Sequence, residues 1–308
     1  MRAMPGFSHE AFFYAGDDEY LAGIVPFIEE GIGGGEAVLV AVPADRLRLL
    51  TRRFGDGHPE LRFADMEVLG RNPAWIIPAW AAFVAAQDTG RPARGVGQPI
   101  WASRSEDELV ECSRHEALIN LAFADADGFR LLCPYDTTSL GGDVIEASLH
   151  NHPHVTSPDA ITLSDAYTGA IPSWLESPLS PVPATADVLA FHGADLARVR
   201  HRTAALATAA GLSSSRVDDL VMAVSEAITN SALHGGGSGQ ISLWHDGSRF
   251  LCDIRDKGAL SNPLAGRVRP APDQIGGRGL WLIHQLCDLV QMRRLPDGQA
   301  IRLHMQGG

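Results

Sequence analysis

The sequence predicts an α/β protein of two domains, the first a doubly wound, mainly parallel sheet and the second an α+β layer. Three observations carry that prediction. Short apolar runs alternate with amphipathic stretches as far as Leu149; the Pro- and Ser-rich stretch from Ile171 to Thr185, IPSWLESPLSPVPAT, breaks both periodicities; beyond it helices come first and strands pair as hairpins. The 308 residues, 45% hydrophobic and 20% charged, suffice for two cores of about 100 to 200 residues each. The expected division is 1–168, a connecting segment 169–185, and 186–308.

In the front domain Ala11 to Tyr14 reads as a strand, and Asp17 is placed to cap a helix over Glu19 to Glu30 that the glycines Gly31 to Gly35 end. AVLVAV, Ala37 to Val42, is a buried strand. A helix is expected after Pro43 and another near Ala74 to Ala86, then a strand near Val96 to Trp101 and a helix over Glu106 to Phe123. Strand Phe129 to Cys133 and helix Asp143 to Leu149 close the series. In sheets of this kind ligands sit beyond the carboxyl ends of the strands, which nominates Tyr14, Trp101, Tyr135 and Asp136.

In the back domain a helix over Asp195 to Ala210 stops at Gly211, and a second starts after Ser213 to Ser215 and runs to about Leu233. Gln240 to Trp244 and Phe250 to Arg255 are strands joined at Asp246-Gly247. A Gly- and Pro-rich loop leads to a helix over Leu280 to Cys287, and a last hairpin turns at Pro296-Asp297-Gly298.

Charge and residue usage exclude several functions. Lys257 is the only lysine, so a P-loop nucleotidase in the front domain, which needs a phosphate-loop lysine, is ruled out. Residues 1–185 carry 26 acids and 12 bases, net -14, against 11 acids and 13 bases, net +2, from Ala186 onward. So acidic a front domain argues against nucleic-acid binding. No apolar run approaches the roughly 18 to 20 residues that cross a bilayer, and the charged start is unlike a signal peptide; a cytoplasmic protein with no membrane partner is expected. The cysteines Cys112, Cys133, Cys252 and Cys287 show no CxxC spacing and are expected as small buried apolar residues.

Chemistry gathers in three elements of the back domain. In AVSEAITNSALHGGG, Glu226 and Asn230 are four residues apart and share one helical face, putting a carboxylate and an amide on one pocket. Asp256-Lys257-Gly258 follows a strand directly, where a carboxylate can accept a hydrogen bond at a pocket floor. Gly276-Gly277-Arg278-Gly279-Leu280 opens a helix whose backbone N–H groups can receive phosphates. Taken singly, the first is more often a solvated face, the second a turn and the third a capped loop. Their order within about sixty residues changes that balance.

On these residues Ala186 to Met305 resembles the GHKL (Bergerat-fold) ATPase domain, and specifically the RsbW/SpoIIAB-like anti-sigma-factor serine kinases. The N box matches Glu226, Ala227 and Asn230; the adenine motif matches Asp256 and Gly258; the glycine box matches Gly277, Arg278, Gly279 and Leu280. The resemblance implies ATP and Mg²⁺ as cofactors, with Asn230 coordinating Mg²⁺, Asp256 accepting the adenine amino group and Glu226 acting as general base on a substrate serine. It implies an anti-anti-sigma (STAS) protein and a sigma factor as partners, and allows a homodimer. Histidine autophosphorylation is not expected, because His201 is followed by Arg202 without the acidic residue and proline of a sensor kinase. Two alternatives stand beside the kinase: an ATP-gated module that sequesters a sigma factor or STAS partner through a mobile lid, about Ala259 to Ile275, and a degenerate sensor without nucleotide.

The front domain resembles the MEDS sensory domain through His9 and Tyr14, Phe27, Glu30, Gly31, Gly35-Glu36 with AVLV, Tyr135-Asp136 and His152-Pro153. This implies a RecA/KaiC-like sheet without a P-loop that senses a small organic molecule, with His9, Tyr14, Tyr135 and Asp136 as sensory-ligand candidates. Adjacent histidines in His150-Asn151-His152-Pro153-His154 are of the type that ligates zinc or nickel. No carboxylate or cysteine neighbours them in sequence, however, and solvated histidines at a helix end are the simpler expectation. His9 is likewise expected as a hydrogen-bonded structural residue, with a ligand role as the alternative.

Overall fold

Strand β1 (Phe7–Tyr14) is buried along nearly its whole length on both faces, which belongs to the middle of a parallel sheet. In the computed structural model, which describes residues 6–307 except 56, 88–89, 159, 272 and 275, it lies there. The chain divides into two compact units, Met1–Leu175 and Glu176–Gly308.

After β1 come α1 (Gly16–Gly33), β2 (Ala37–Val42), α2 (Ala44–Phe54), β3 (Leu61–Asp65), the short α3 (Met66–Leu69), α4 (Ile76–Ala85), β4 (Ala93–Gly97), α5 (Glu106–Ala122), β5 (Phe129–Asp136), α6 (Gly142–Asn151), β6 (His154–Thr156) and β7 (Ile161–Leu163). The sheet order is β3-β2-β4-β5-β1-β6-β7, parallel except for β7. The expected doubly wound parallel sheet is therefore present.

Several boundaries move for identifiable reasons. The strand expected near Val96 to Trp101 is β4, four residues shorter at its end. It starts earlier because Arg94 is buried, its charge met by Glu36 at 2.7 Å and Glu30 at 2.7 Å. It stops before Pro99, and Trp101 lies beyond the strand end with the Arg104 guanidinium 3.8 Å from its ring centre. Asp17 does not cap α1; Ala15 stands at that position, and Asp17 in the first turn pairs with Arg46. The strands β3, β6 and β7, short and partly exposed, lack the apolar run that marks the central ones.

The second unit comprises β8 (Asp187–His192), α7 (Leu196–Ala209), α8 (Ser214–His234), β9 (Ser238–His245), β10 (Arg249–Asp256), α9 (Arg278–Leu286), β11 (Leu289–Leu295) and β12 (Gly298–Gln306). Its sheet, β11-β12-β10-β9-β8, is antiparallel throughout. Leu220, Ala223, Val224, Ala227 and Ile228 form the buried stripe of α8 against Ile241, Leu243, Cys252, Ile254 and Leu303 of the sheet. The residue spacing three and four apart is what a helix needs to bury one face.

The opposite face of this sheet holds a buried ion pair. Arg302 donates to Asp253 from Nε at 3.0 Å and Nη2 at 2.8 Å, both residues 1% exposed, while its Nη1 and Nη2 also reach Ser180 Oγ and the Ser180 carbonyl. Arg293 reaches the Ser177 carbonyl at 3.1 Å. The later part of the Pro- and Ser-rich stretch is thus held on the second unit's sheet by arginines. Removing one partner strands a buried charge, at about 3–5 kcal/mol. Asp253→Ala should lower the unfolding free energy of the second unit by about that amount in urea titration, whereas Arg255→Ala, which removes a half-exposed partner of the same carboxylate, should cost far less.

Candidate functional site

Helix α8 carries the central residues of the second unit's site. Its buried stripe faces the sheet and leaves Glu226 and Asn230 half-buried at its edge. The next residue, Ser231, points inward, and its hydroxyl donates to Asp256 Oδ2 at 2.5 Å. Asp256 ends β10 and is buried; its Oδ1 accepts the Gly258 N–H at 2.7 Å and its Oδ2 a longer contact from Gln299 Nε2 at 3.3 Å. Three donors from α8, the turn after β10 and β12 therefore hold one carboxylate at a defined place. An ionised carboxylate offers about four lone-pair directions, so one remains for a further donor.

The third element approaches α8 from the other side. Gly276 and Gly277 have φ of +91° and +78°, backbone that L side chains rarely adopt, and they turn the chain into α9 at Arg278, which is exposed. A Cβ on Gly279 would lie 2.9 Å from Glu226 Oε2, 3.2 Å from Asn230 Nδ2 and 3.3 Å from Asn230 Oδ1. The first turn of α9, with its N–H groups, is thus laid directly against the carboxylate and amide, close enough that a side chain at 279 would displace the ends of Glu226 and Asn230. Leu280 turns inward and packs on the unit's core. Asn230 Nδ2 is buried and has no hydrogen-bond partner among the described residues. An orphaned amide beside a helix N-terminus suits a site that is completed by a ligand.

The structure thus brings Gly279 to Glu226 and Asn230, and sets Asp256, with the Gly258 N–H on it, beside Ser231; Gly277 and Arg278 are exposed where the chain enters α9, and Leu280 packs on the core. Sequence reasoning missed Ser231 and Gln299. Ser231 adjoins Asn230 and could have been singled out as a polar residue on the buried stripe; no local signal marks Gln299. Ser231→Ala should leave the fold intact but loosen Asp256, lowering the affinity for any ligand that donates to this carboxylate about tenfold, the equivalent of one net hydrogen bond to a charged group. Titration calorimetry would show it. The expected lid ending at Ile275 falls partly outside the described residues; among those described, Leu264 and Arg267 lie in hydrogen-bonded turns.

In the first unit the four sensory candidates separate onto two sheet faces, because neighbours along a strand point to opposite sides. Tyr14 and Asp136 share one face at the carboxyl ends of β1 and β5. Arg46 fills that crevice, 5.2 Å from the Tyr14 ring centre, 4.8 Å from that of Tyr20 and 3.7 Å from Asp136, while Gln98 donates to the Tyr14 hydroxyl at 3.0 Å. His9 and Tyr135 lie on the other face with Cys133, Glu116 and His152, whose ligand-type atoms all fall within 4.8 Å of one another. Burial, reinforced by the adjacent His152, lowers the His9 pKa to about 4, so its imidazole is neutral. Burial and the Glu116 charge push the Cys133 thiol well above its ordinary value.

The histidine-rich segment is not a solvated helix end. His150 lines an open cavity of about 430 Å³ with Glu106 and Asp143, and its Nδ1 lies 3.0 Å from the Ala166 carbonyl. His154, on β6, lines a second of about 720 Å³ with Glu30 and Arg130. His152 between them is fully buried.

Residues 8–153 match the family model of MEDS, the MEthanogen/methylotroph, DcmR Sensory domain, and residues 190–305 match that of the histidine kinase-like ATPase domain. Among solved structures, the crystal structure of the RsbU and RsbW domains of Rv1364c from Mycobacterium tuberculosis is similar, at 16% identity and a TM-score of 0.29. The similarity covers 39% of this chain and 32% of that one, so this chain spans about a third of the solved structure's length. No curated protein matches. No helix among the described residues is long and apolar enough to cross a membrane.

Proposed function

We propose that the second unit binds Mg-ATP and phosphorylates a serine of an anti-anti-sigma (STAS) protein, within a sigma-factor partner switch controlled by the first unit. The observation that carries this reading is the convergence of Glu226, Asn230 and the Gly279 backbone beside the held carboxylate of Asp256. The unpaired Asn230 Nδ2 donor and the close approach of the α9 backbone at Gly279 fit the phosphate oxygens of a bound nucleotide.

Bound Mg-ATP supplies an electrophilic γ-phosphorus with its charge partly neutralised. Asp256 accepts from the adenine amino group through its remaining lone pair. The first-turn N–H groups of α9 bind phosphate oxygens, and Asn230 holds the cation. Glu226 takes the proton of the substrate serine as that oxygen bonds phosphorus and the β–γ bridging bond breaks, leaving ADP and phosphoserine. Catalysis on this account is mainly positioning and electrostatics.

The test is transfer of γ-labelled phosphate from Mg-ATP to a panel of STAS proteins of the same genome, with the labelled residue mapped. Label on a STAS serine supports the kinase. An ATP-dependent complex with a sigma factor or STAS protein that releases no ADP would overturn it in favour of the sequestering module.

A further inference from the structure

His9, Glu116, Cys133 and His152 converge within the first unit, on elements that contribute nothing to the site of the second. His9 comes from β1 and Cys133 from the adjacent β5, on the same sheet face; Glu116 comes from α5, and His152 follows α6 directly. All four are at most 1% exposed. His9 Nε2 lies 3.0 Å from Glu116 Oε2 and 3.4 Å from Cys133 Sγ, and His152 Nε2 lies 3.2 Å from the same Glu116 oxygen.

The surrounding hydrogen bonds decide where the protons are. His152 Nδ1 lies 2.8 Å from the Ser148 carbonyl, which can only accept, so that nitrogen carries a hydrogen. Asn120 donates its amide N–H to the Asn151 carbonyl at 2.7 Å, which fixes its flip and turns its Oδ1, at 3.1 Å, toward His9 Nδ1; that nitrogen carries a hydrogen too. In the neutral state both rings therefore aim Nε2 lone pairs at an acceptor-only carboxylate. His152 Nε2 and Glu116 Oε1 are buried with no hydrogen-bond partner among the described residues. Two lone pairs, a carboxylate and a sulfur facing one another in a dry interior form an array that a cation completes.

We propose that this cluster is a mononuclear site for a zinc-class divalent ion. Two imidazole nitrogens, a thiolate and a carboxylate are a zinc donor set; an all-oxygen shell, as calcium and magnesium take, is absent. Zinc bonds of about 2.0–2.3 Å separate tetrahedral donors by distances near those already present. Charge also balances: the divalent ion meets two anions, Glu116 and Cys133 thiolate, once binding has released the thiol proton to solvent. Asn120 and the Ser148 carbonyl then act as the outer hydrogen-bond partners that orient metal-bound histidines. Because the ligands come from β1, β5, α5 and the end of α6, the ion ties the sheet to its covering helices, so metal occupancy couples to the order of the whole first unit.

The full chain, without an affinity tag of histidines, is stripped with a chelator and titrated with Co²⁺ and, separately, with Zn²⁺. The expected result is saturation at one ion per chain, with the visible d–d bands of tetrahedral cobalt and a near-ultraviolet thiolate-to-cobalt band, and a thermal midpoint raised by several degrees with Zn²⁺. Cys133→Ala should lose the thiolate band, and Cys112→Ala, which removes the other buried thiol of this unit, should keep it. The proposal is overturned if the folded wild-type chain shows neither cobalt bands nor a zinc-dependent midpoint, or if the thiolate band survives Cys133→Ala. The wild-type titration decides the matter even where a variant fails to fold.

Discussion

Glu226→Gln should keep Mg-ATP affinity essentially unchanged while lowering phosphoryl transfer about 10²–10⁴-fold, the range that a positioned general base supplies. The substitution keeps the shape of a half-buried side chain whose carboxylate lies where a Cβ on Gly279 would touch it. It removes only the capacity to accept a proton. Calorimetry on the variant and wild type, beside initial rates of γ-phosphate transfer, separates the two effects. Undiminished transfer would take the general-base role away from Glu226.

Asp256→Asn acts on recognition instead. Three donors, Ser231 Oγ, the Gly258 N–H and Gln299 Nε2, converge on this buried carboxylate. An amide gives back one acceptor and turns the other position into a donor, so at least one buried donor loses its partner and, in the proposed binding mode, the adenine amino group loses its acceptor. An unsatisfied buried group costs about 1–3 kcal/mol, which corresponds to a drop in nucleotide affinity of about 10- to 100-fold. Preference for ATP over GTP should shrink at the same time, because the lost contact is to the base. An unchanged ATP-to-GTP ratio in competition binding would show that Asp256 does not read adenine.

How much of this was legible in the sequence depended on the span of chain involved. Glu226 and Asn230 could be paired because helical geometry places residues four apart on one face, and the glycines of 276–279 announced a turn into a helix. Ser231 and Gln299 meet Asp256 across 25 and 43 residues, and no local pattern encodes that. The first unit is the stronger case. His9 and Cys133 are 124 residues apart in sequence and meet only because β1 pairs with β5. Read locally, His152 belonged to a histidine-rich helix end and Cys133 to an apolar strand; the thiol is buried as expected, but among ligand-type groups. Arg94 hid the start of β4 for a related reason, since its charge is neutralised by Glu30 and Glu36, about sixty residues away.

The most direct test of the account is equilibrium binding of Mg-ATP to the full chain by titration calorimetry, beside Asn230→Ala. The arrangement of α8, the end of β10 and the start of α9 predicts saturable binding of one nucleotide per chain that depends on Mg²⁺ and is lost in the variant. A folded wild-type chain that takes up no ATP, or one that binds it equally without Asn230, would contradict the nucleotide site on which the proposed function rests.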